Sequence, residues 1–194
     1  MKITITGPSG SGKSTFASLL AKKINADICE VDIFFREAFL EHQDIMKSYC
    51  GEKCINEDGT INFGVLSLLP SEKDFEVRKI LSGCMNEKIN EKAEQAYKNN
   101  KHIIFDYLFL TDCSSLMKSD LIILMDTPLD IRYKRMLQRG KDRFKFTKEE
   151  FVAMDNLVKS TLTEFQPHII INNSSISKLE TEANKISSLI KNVK

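Results

Sequence analysis

The sequence predicts an α/β fold in three layers, with a parallel five-stranded sheet between two layers of helices. Short apolar or β-branched runs alternate along the chain with segments of helical periodicity. Two of the runs, HIIFD at 102–106 and LIILM at 121–125, are apolar at nearly every position, as central parallel strands covered on both faces require. The first run, KITIT at 2–6, passes through a glycine-rich turn into TFASLLAKKI, which sets strand, loop and helix in order.

The other elements follow in sequence. DICEV at 27–31 is the second strand, ending at Asp32, and residues 32–49 then turn helical with Ile33, Phe34, Ala38, Phe39 and Ile45 as core contacts. Residues 50–71 have the composition of loops and short helices, and two charged amphipathic stretches occupy 72–99. Together, residues from about 50 to 100 read as an inserted helical subdomain that binds an acceptor. The central strands end in Asp106 and Asp126, which should face the ligand. A helix between Pro128 and Gly140 carries Arg132, Arg135 and Arg139 on one face, and the basic segment after it, from about 139 to 147, reads as a lid. Thr147 with Glu150 three residues on forms a capping box that opens the next helix. Residues 168–171 give the last strand and 175–191 the last helix.

With 194 residues the chain has the length of one domain, 1–194, with one core and insertions. A formal charge of +1 gives no global field to attract nucleic acid or an anionic membrane, so the expected partner is a small molecule. No apolar run approaches the roughly 20 residues needed to cross a bilayer, and the phosphate-type turn begins too early to follow a signal peptide, which predicts a cytoplasmic protein. Five cysteines in such a chain are expected to be reduced, and the one Cys50–Cys54 pair is too few ligands for structural zinc.

The run from Gly7 to Ser14, GPSGSGKS, matches the pattern G-x-x-x-x-G-K-[ST] in the strand-to-helix context that gives the pattern its meaning, and so places the fold among the P-loop NTPases. Backbone N–H groups of Gly7, Ser9, Gly10, Ser11, Gly12, Lys13, Ser14 and Thr15 would cradle the phosphates of ATP at a helix N-terminus. Lys13 would reach the β- and γ-phosphates, and Ser14 would ligate Mg²⁺. Asp106 is the candidate second carboxylate at the metal and borders the acceptor, with Asp126 as its competitor; a strand-end turn residue is the plainer alternative. Asp32 is the candidate general base for an attacking hydroxyl, against the alternative that it caps the following helix. Arg36, one turn on, would hold an anionic part of the acceptor. Arg135, Arg139 and Arg143 would meet the ATP phosphates, Arg139 in the transition state, although a charged helix face often only meets solvent.

These residues resemble the dephospho-coenzyme A kinases along most of the chain. EVDIFFREAF looks like that family's strand-end Asp followed by an Arg, INEDGTIN like the turn before its helical subdomain, DLIILMDTPLDIRYKRMLQRG like its arginine-bearing helix, and PHIIINNSSISKLETEANKI like its last strand and helix. The resemblance implies a nucleoside- or nucleotide-kinase-like fold, transfer of the ATP γ-phosphate to the 3′-hydroxyl of dephospho-coenzyme A in coenzyme A biosynthesis, Arg139 in a lid, and Asn173 near the adenine. The chain departs from the family at Phe63, where an arginine is expected, around Asn86, at the Tyr107–Thr111 segment, and at Asn156. The loop GPSGSG is also similar to that of uridine and other nucleoside kinases. A nucleoside or nucleotide kinase, uridine- or cytidylate-like, and an ATP-binding regulator without catalysis therefore stand beside the leading reading.

Overall fold

The computed structural model describes residues 1–66, 69–138, 147–172 and 175–192. Five strands, β1 (Lys2–Thr6), β2 (Ala26–Glu30), β3 (His102–Asp106), β4 (Leu121–Asp126) and β5 (Ile169–Asn172), form one sheet in the order β2-β3-β1-β4-β5. Every pairing in it is parallel. The helices are α1 (Lys13–Ile24), α2 (Asp32–Glu41), α3 (Gln43–Cys50), α4 (Phe63–Leu66), α5 (Ser71–Lys98), α6 (Ser114–Met117), α7 (Leu129–Gln138), α8 (Lys148–Leu162) and α9 (Ile176–Asn192).

The alternation of strand side chains builds two cores, one on each face of the sheet. Ile3, Ile5, Ile104, Ile123 and Met125 meet α1 and α9 through Phe16, Leu20, Leu179 and Ile186. Ile103, Phe105 and Ile122 point the other way and meet Phe34, Phe39, Leu81, Met85 and Ile89 of α2 and α5. Adjacent positions of β3 thus serve opposite layers, which is why its sequence is apolar throughout. Both buried polar residues of β1 are paired: the Thr4 hydroxyl lies 2.7 Å from that of Ser119, and the Thr6 hydroxyl donates to the Leu108 carbonyl at 3.3 Å.

Several sequence expectations are corrected. β2 stops at Glu30, because Val31 already has helical backbone angles and Asp32 falls in the first turn of α2. The helix expected over 32–49 is two helices, broken at His42, whose ring Nδ1 lies 3.0 Å from the Ala38 carbonyl that would otherwise belong to the helical ladder alone. Phe34, Ala38 and Phe39 enter the core as expected, whereas Ile33 and Ile45 are about half exposed, on the outer faces of α2 and α3. The two stretches expected over 72–99 are one continuous helix, α5. Gly83, midway along it, has open space where a Cβ would stand.

Thr147 caps α8 as the sequence indicates, with its hydroxyl accepting from the Glu150 N–H and Glu150 accepting from the Thr147 N–H. The five cysteines are free thiols. Among the described residues no helix is long and apolar enough to cross a membrane. Phe105 is fully enclosed, so Phe105→Ala should lower unfolding free energy by about 4 kcal/mol, read from the urea midpoint; a loss under about 1 kcal/mol would mean the site collapses around the gap.

Candidate active site

The order β2-β3-β1-β4-β5 puts the reversal of chain direction across the sheet at β1, and the crevice beyond the carboxyl ends of β1 and its neighbours is where such sheets take ligands. The loop from Gly7 to Gly12 leaves β1 there and enters α1 at Lys13. Two glycines are dictated by space as well as by angle. Gly7 has φ of 137°, and a Cβ on it would collide with the Met125 carbonyl; Gly10 has φ of 78°, and its Cβ would lie 2.8 Å from the Arg132 carbonyl oxygen. The loop is therefore pressed against the end of β4 and the start of α7 at contact distance.

An open cleft is walled on one side by Ser9, Gly10, Gly12, Lys13 and Ser14, and on the other by Glu30, Asp32, Asp106 and Leu108. The register brings the second wall together: Glu30 is level with Asp106 in the β2–β3 pair, and Ile5 is level with Asp106 in the β1–β3 pair. The Val31 N–H donates to the Asp106 carbonyl at 3.2 Å, which fixes the turn that presents Asp32. Asp106 is buried, and its Oδ2 accepts from the Ser14 hydroxyl at 2.6 Å. Asp126, its competitor, ends β4 exposed.

Lys13 Nζ donates to the Gly7 carbonyl at 2.9 Å, so the ammonium lies folded over the loop it belongs to. Ser14 and Thr15, in the first turn of α1, are exposed. Asp32 opens onto the cleft, and no side chain caps α2, whose N-cap residue is Val31; the capping alternative for Asp32 is not what the geometry shows. Loss of water around Asp32 pushes its carboxyl above the ordinary value, Asp106 and Glu30 push the same way, and the charges of Lys13 and Arg36 oppose them. Although its surface touches solvent, protein crowds the carboxylate closely enough for desolvation to lead.

Arg36 is exposed, and its guanidinium lies 5.5 Å from the ring centroid of Phe63, itself 44% exposed. Phe35 lies 6.5 Å from the same ring. Arg78 of α5 is clamped between Asp74 at 2.9 Å and Asp112 at 3.0 Å, with its guanidinium 3.7 Å from the Phe109 ring. Arg135 Nη1 donates to the Gly10 carbonyl at 3.2 Å. Arg132, expected on the same basic face, is instead buried inside the protein, 2.7 Å from Asp155. Arg139, Arg143 and the lid expected over 139–147 fall on or beside residues 139–146, outside the described residues, as does Asn173.

Sequence reasoning did not single out Glu30, Thr127 or Asp155. Glu30 stands two residues before Asp32 and marks the true end of β2, a signal the apolar pattern of DICEV conceals. Asp155 carried no signal, since an acid in a helix that holds four other charged residues reads as surface.

Residues 3–155 match the AAA domain family. A dephospho-CoA kinase of Buchnera aphidicola is 25% identical over 184 residues, covering 91% of this chain and 85% of that protein. A cytidylate kinase of Sulfolobus acidocaldarius is 29% identical over 145 residues, covering 72% of this chain and 62% of that protein. Among solved structures, TT1252 from Thermus thermophilus superposes with a TM-score of 0.74 at 17% identity, covering 100% of this chain and 98% of that one, a likeness of fold. With the phosphate loop, the strand-end carboxylates and a match over most of its length, the chain belongs to the AAA domain family and is a P-loop kinase, with dephospho-CoA kinases and a cytidylate kinase among the proteins it is similar to.

Proposed function

We propose that this chain transfers the γ-phosphoryl group of ATP to the 3′-hydroxyl of dephospho-coenzyme A or a closely similar alcohol. The observation that carries the reading is the shared cleft: the Asp32 carboxylate opens onto the same space as Lys13, Ser14 and the loop. Residues from about 50 to 100 form the acceptor side, and those from about 139 to 147 a lid over the phosphates.

The loop N–H groups from Gly7 to Thr15 and the N-terminus of α1 bind the phosphates, with Lys13 leaving the Gly7 carbonyl to meet the β- and γ-oxygens. Ser14 Oγ and Asp106 Oδ2, 2.6 Å apart, offer hard oxygen ligands suited to Mg²⁺, which would draw negative charge from the phosphates when bound there. Asp32 accepts the proton of the acceptor hydroxyl at its carboxylate and aims the oxygen at phosphorus. Arg36 steadies an anionic part of the acceptor, while Asp106 borders its hydroxyl. Arg135, on leaving the Gly10 carbonyl, and Arg143 bind phosphate oxygens, Arg139 meets the charge that develops in transfer, and Asn173 serves the adenine.

A second reading, a nucleoside or nucleotide kinase, is favoured by Phe63. An exposed ring beside Arg36, where the resemblance expects an arginine, suits a planar base better than an extra phosphate. ADP release from ATP and Mg²⁺ separates the readings: stimulation by dephospho-coenzyme A supports the first, and stimulation by cytidine or CMP supports the second. ATP binding with no stimulation by any of them leaves a regulator without catalysis.

Asp32→Asn should cut kcat by on the order of 10² to 10⁴ while ATP binds almost as before; full activity would remove Asp32 from the base role. Lys13→Ala should abolish turnover. Because the Asp32 carboxyl is raised in the fold, its ionised form costs stability at neutral pH, and that cost disappears as pH falls through the folded value toward the ordinary 3.8. Thermal unfolding of Asp32→Asn at pH 7 should therefore lie above wild type, with the gap closing in acid; a variant less stable than wild type at pH 7 would contradict the crowding described above. Arg139→Ala should lower kcat by about 10- to 1,000-fold, as loss of a transition-state contact does, whereas an unchanged rate makes it a surface residue.

A further inference from the structure

Three successive carbonyls of the phosphate loop are held from the side away from the cleft. Arg132 Nη1 donates to Ser9 O at 3.3 Å, Arg135 Nη1 donates to Gly10 O at 3.2 Å, and the Thr127 hydroxyl donates to Ser11 O at 3.1 Å. All the donors come from one short stretch, the end of β4 and the first two turns of α7. A planar trans peptide points its C=O and the following N–H in opposite directions. Holding Ser9 O and Ser11 O outward thus turns the N–H groups of Gly10 and Gly12 toward the other side, and both residues wall the cleft. The Ser11 N–H, which follows the Gly10 carbonyl, closes a turn on Pro8 O at 3.2 Å and stiffens the loop.

Arg132 is an unusual residue to find at the centre of this arrangement. It is 1% exposed, the largest side chain among those fully buried. Its Nε donates to Thr127 O at 2.8 Å, and its Nη1 also lies 2.7 Å from Asp155 Oδ1 on α8. Asp155 is itself buried; burial works against its charge, but contacts with Arg132 and with Lys159 at 3.0 Å outweigh that and hold the carboxyl below its usual value. Phe151 closes the far side, 5.7 Å from the guanidinium carbon. A buried ion pair is an inefficient way to fill a core, since apolar residues of the same volume commonly give equal or greater stability. An apolar side chain, however, could not hold Ser9 O and Thr127 O together. A planar fork with several donors can.

We propose that Arg132, neutralised by Asp155, works with Thr127 as a positioning unit that presets the phosphate loop for the triphosphate of its nucleotide. It touches no reacting atom; it acts through the loop. The inference rests on the reading that this loop binds ATP. It also gives α8 a part in nucleotide binding from a distance, through one carboxylate.

The test uses the full chain, with the ATP dissociation constant measured by calorimetric titration and unfolding temperature measured without nucleotide. Arg132→Lys keeps the charge opposite Asp155 but has one ammonium where a fork is needed. Thr127→Val removes the hydroxyl at nearly constant volume. Each should weaken ATP binding by about tenfold, as loss of one well-placed hydrogen bond does, at temperatures where the variant is fully folded. Asp155→Asn, which keeps shape but not charge, should weaken it similarly. Folded variants that bind ATP as wild type does would overturn the proposal and leave Arg132 a packing residue. Should Arg132→Lys fail to fold, Thr127→Val decides alone by the same criterion. Wild-type protein that binds no ATP at all would instead defeat the reading of the loop, and this inference with it.

Discussion

The parallel register that sets Ile5 and Glu30 on either side of Asp106 is the constraint on which the cleft depends. Side chains alternate along a strand, so a slip of one residue would turn Asp106 to the opposite face and bring Phe105 to the position beside Ser14. The register is secured far from the cleft, by Ile103 and Phe105 buried on one face and Ile104 on the other. A sheet buried on both sides cannot slide without exposing one core or the other. The placement of a hydroxyl and a carboxylate 2.6 Å apart is in this sense a property of the hydrophobic layers.

Much of this was legible in the sequence. The β-branched run at 2–6, the apolar runs at 102–106 and 121–125 and the glycine-rich loop specify the sheet and the phosphate site, because each depends on local pattern or on a motif with few alternatives. What was not legible depends on partners distant in sequence. Nothing local tells Arg132 from Arg135, yet one is buried against Asp155 and the other reaches the Gly10 carbonyl. The helix break at His42 has no glycine or proline to announce it; and Ile33 and Ile45, apolar at helical spacing, face outward because α5 covers only one side of α2 and of α3. Asp32 was found by its place at the predicted strand end, but its crowded environment was not, since the desolvation there, with Asp106 and Glu30 nearby, arises only when paired strands bring distant residues together.

The surface around Arg36 and Arg78 differs in character from the glycine-rich loop. At the loop, Lys13, Arg132, Arg135 and Thr127 all donate to backbone carbonyls, with Ser14 and Asp106 as a side-chain pair beside them. Around Arg36 and Arg78 the contacts run between side chains, as with Arg78 between Asp74 and Asp112, or with Arg36 over Phe63. Backbone contacts constrain shape with little regard to side-chain identity, whereas side-chain pairs can be exchanged.

Helix α5 brings these two regimes into mechanical connection. Its 28 residues make a rod about 42 Å long, with Ile89 packed beneath the sheet and Arg78 bound to Asp112 beyond β3. Near the middle stands Gly83, where no neighbour occupies the space of a missing methyl group. A residue without a Cβ loosens a helix by about 1 kcal/mol relative to alanine, so the rod has its most compliant turn between the half packed on the sheet and the half that carries Arg78. The helix is in this sense two stiff segments joined at a softer turn.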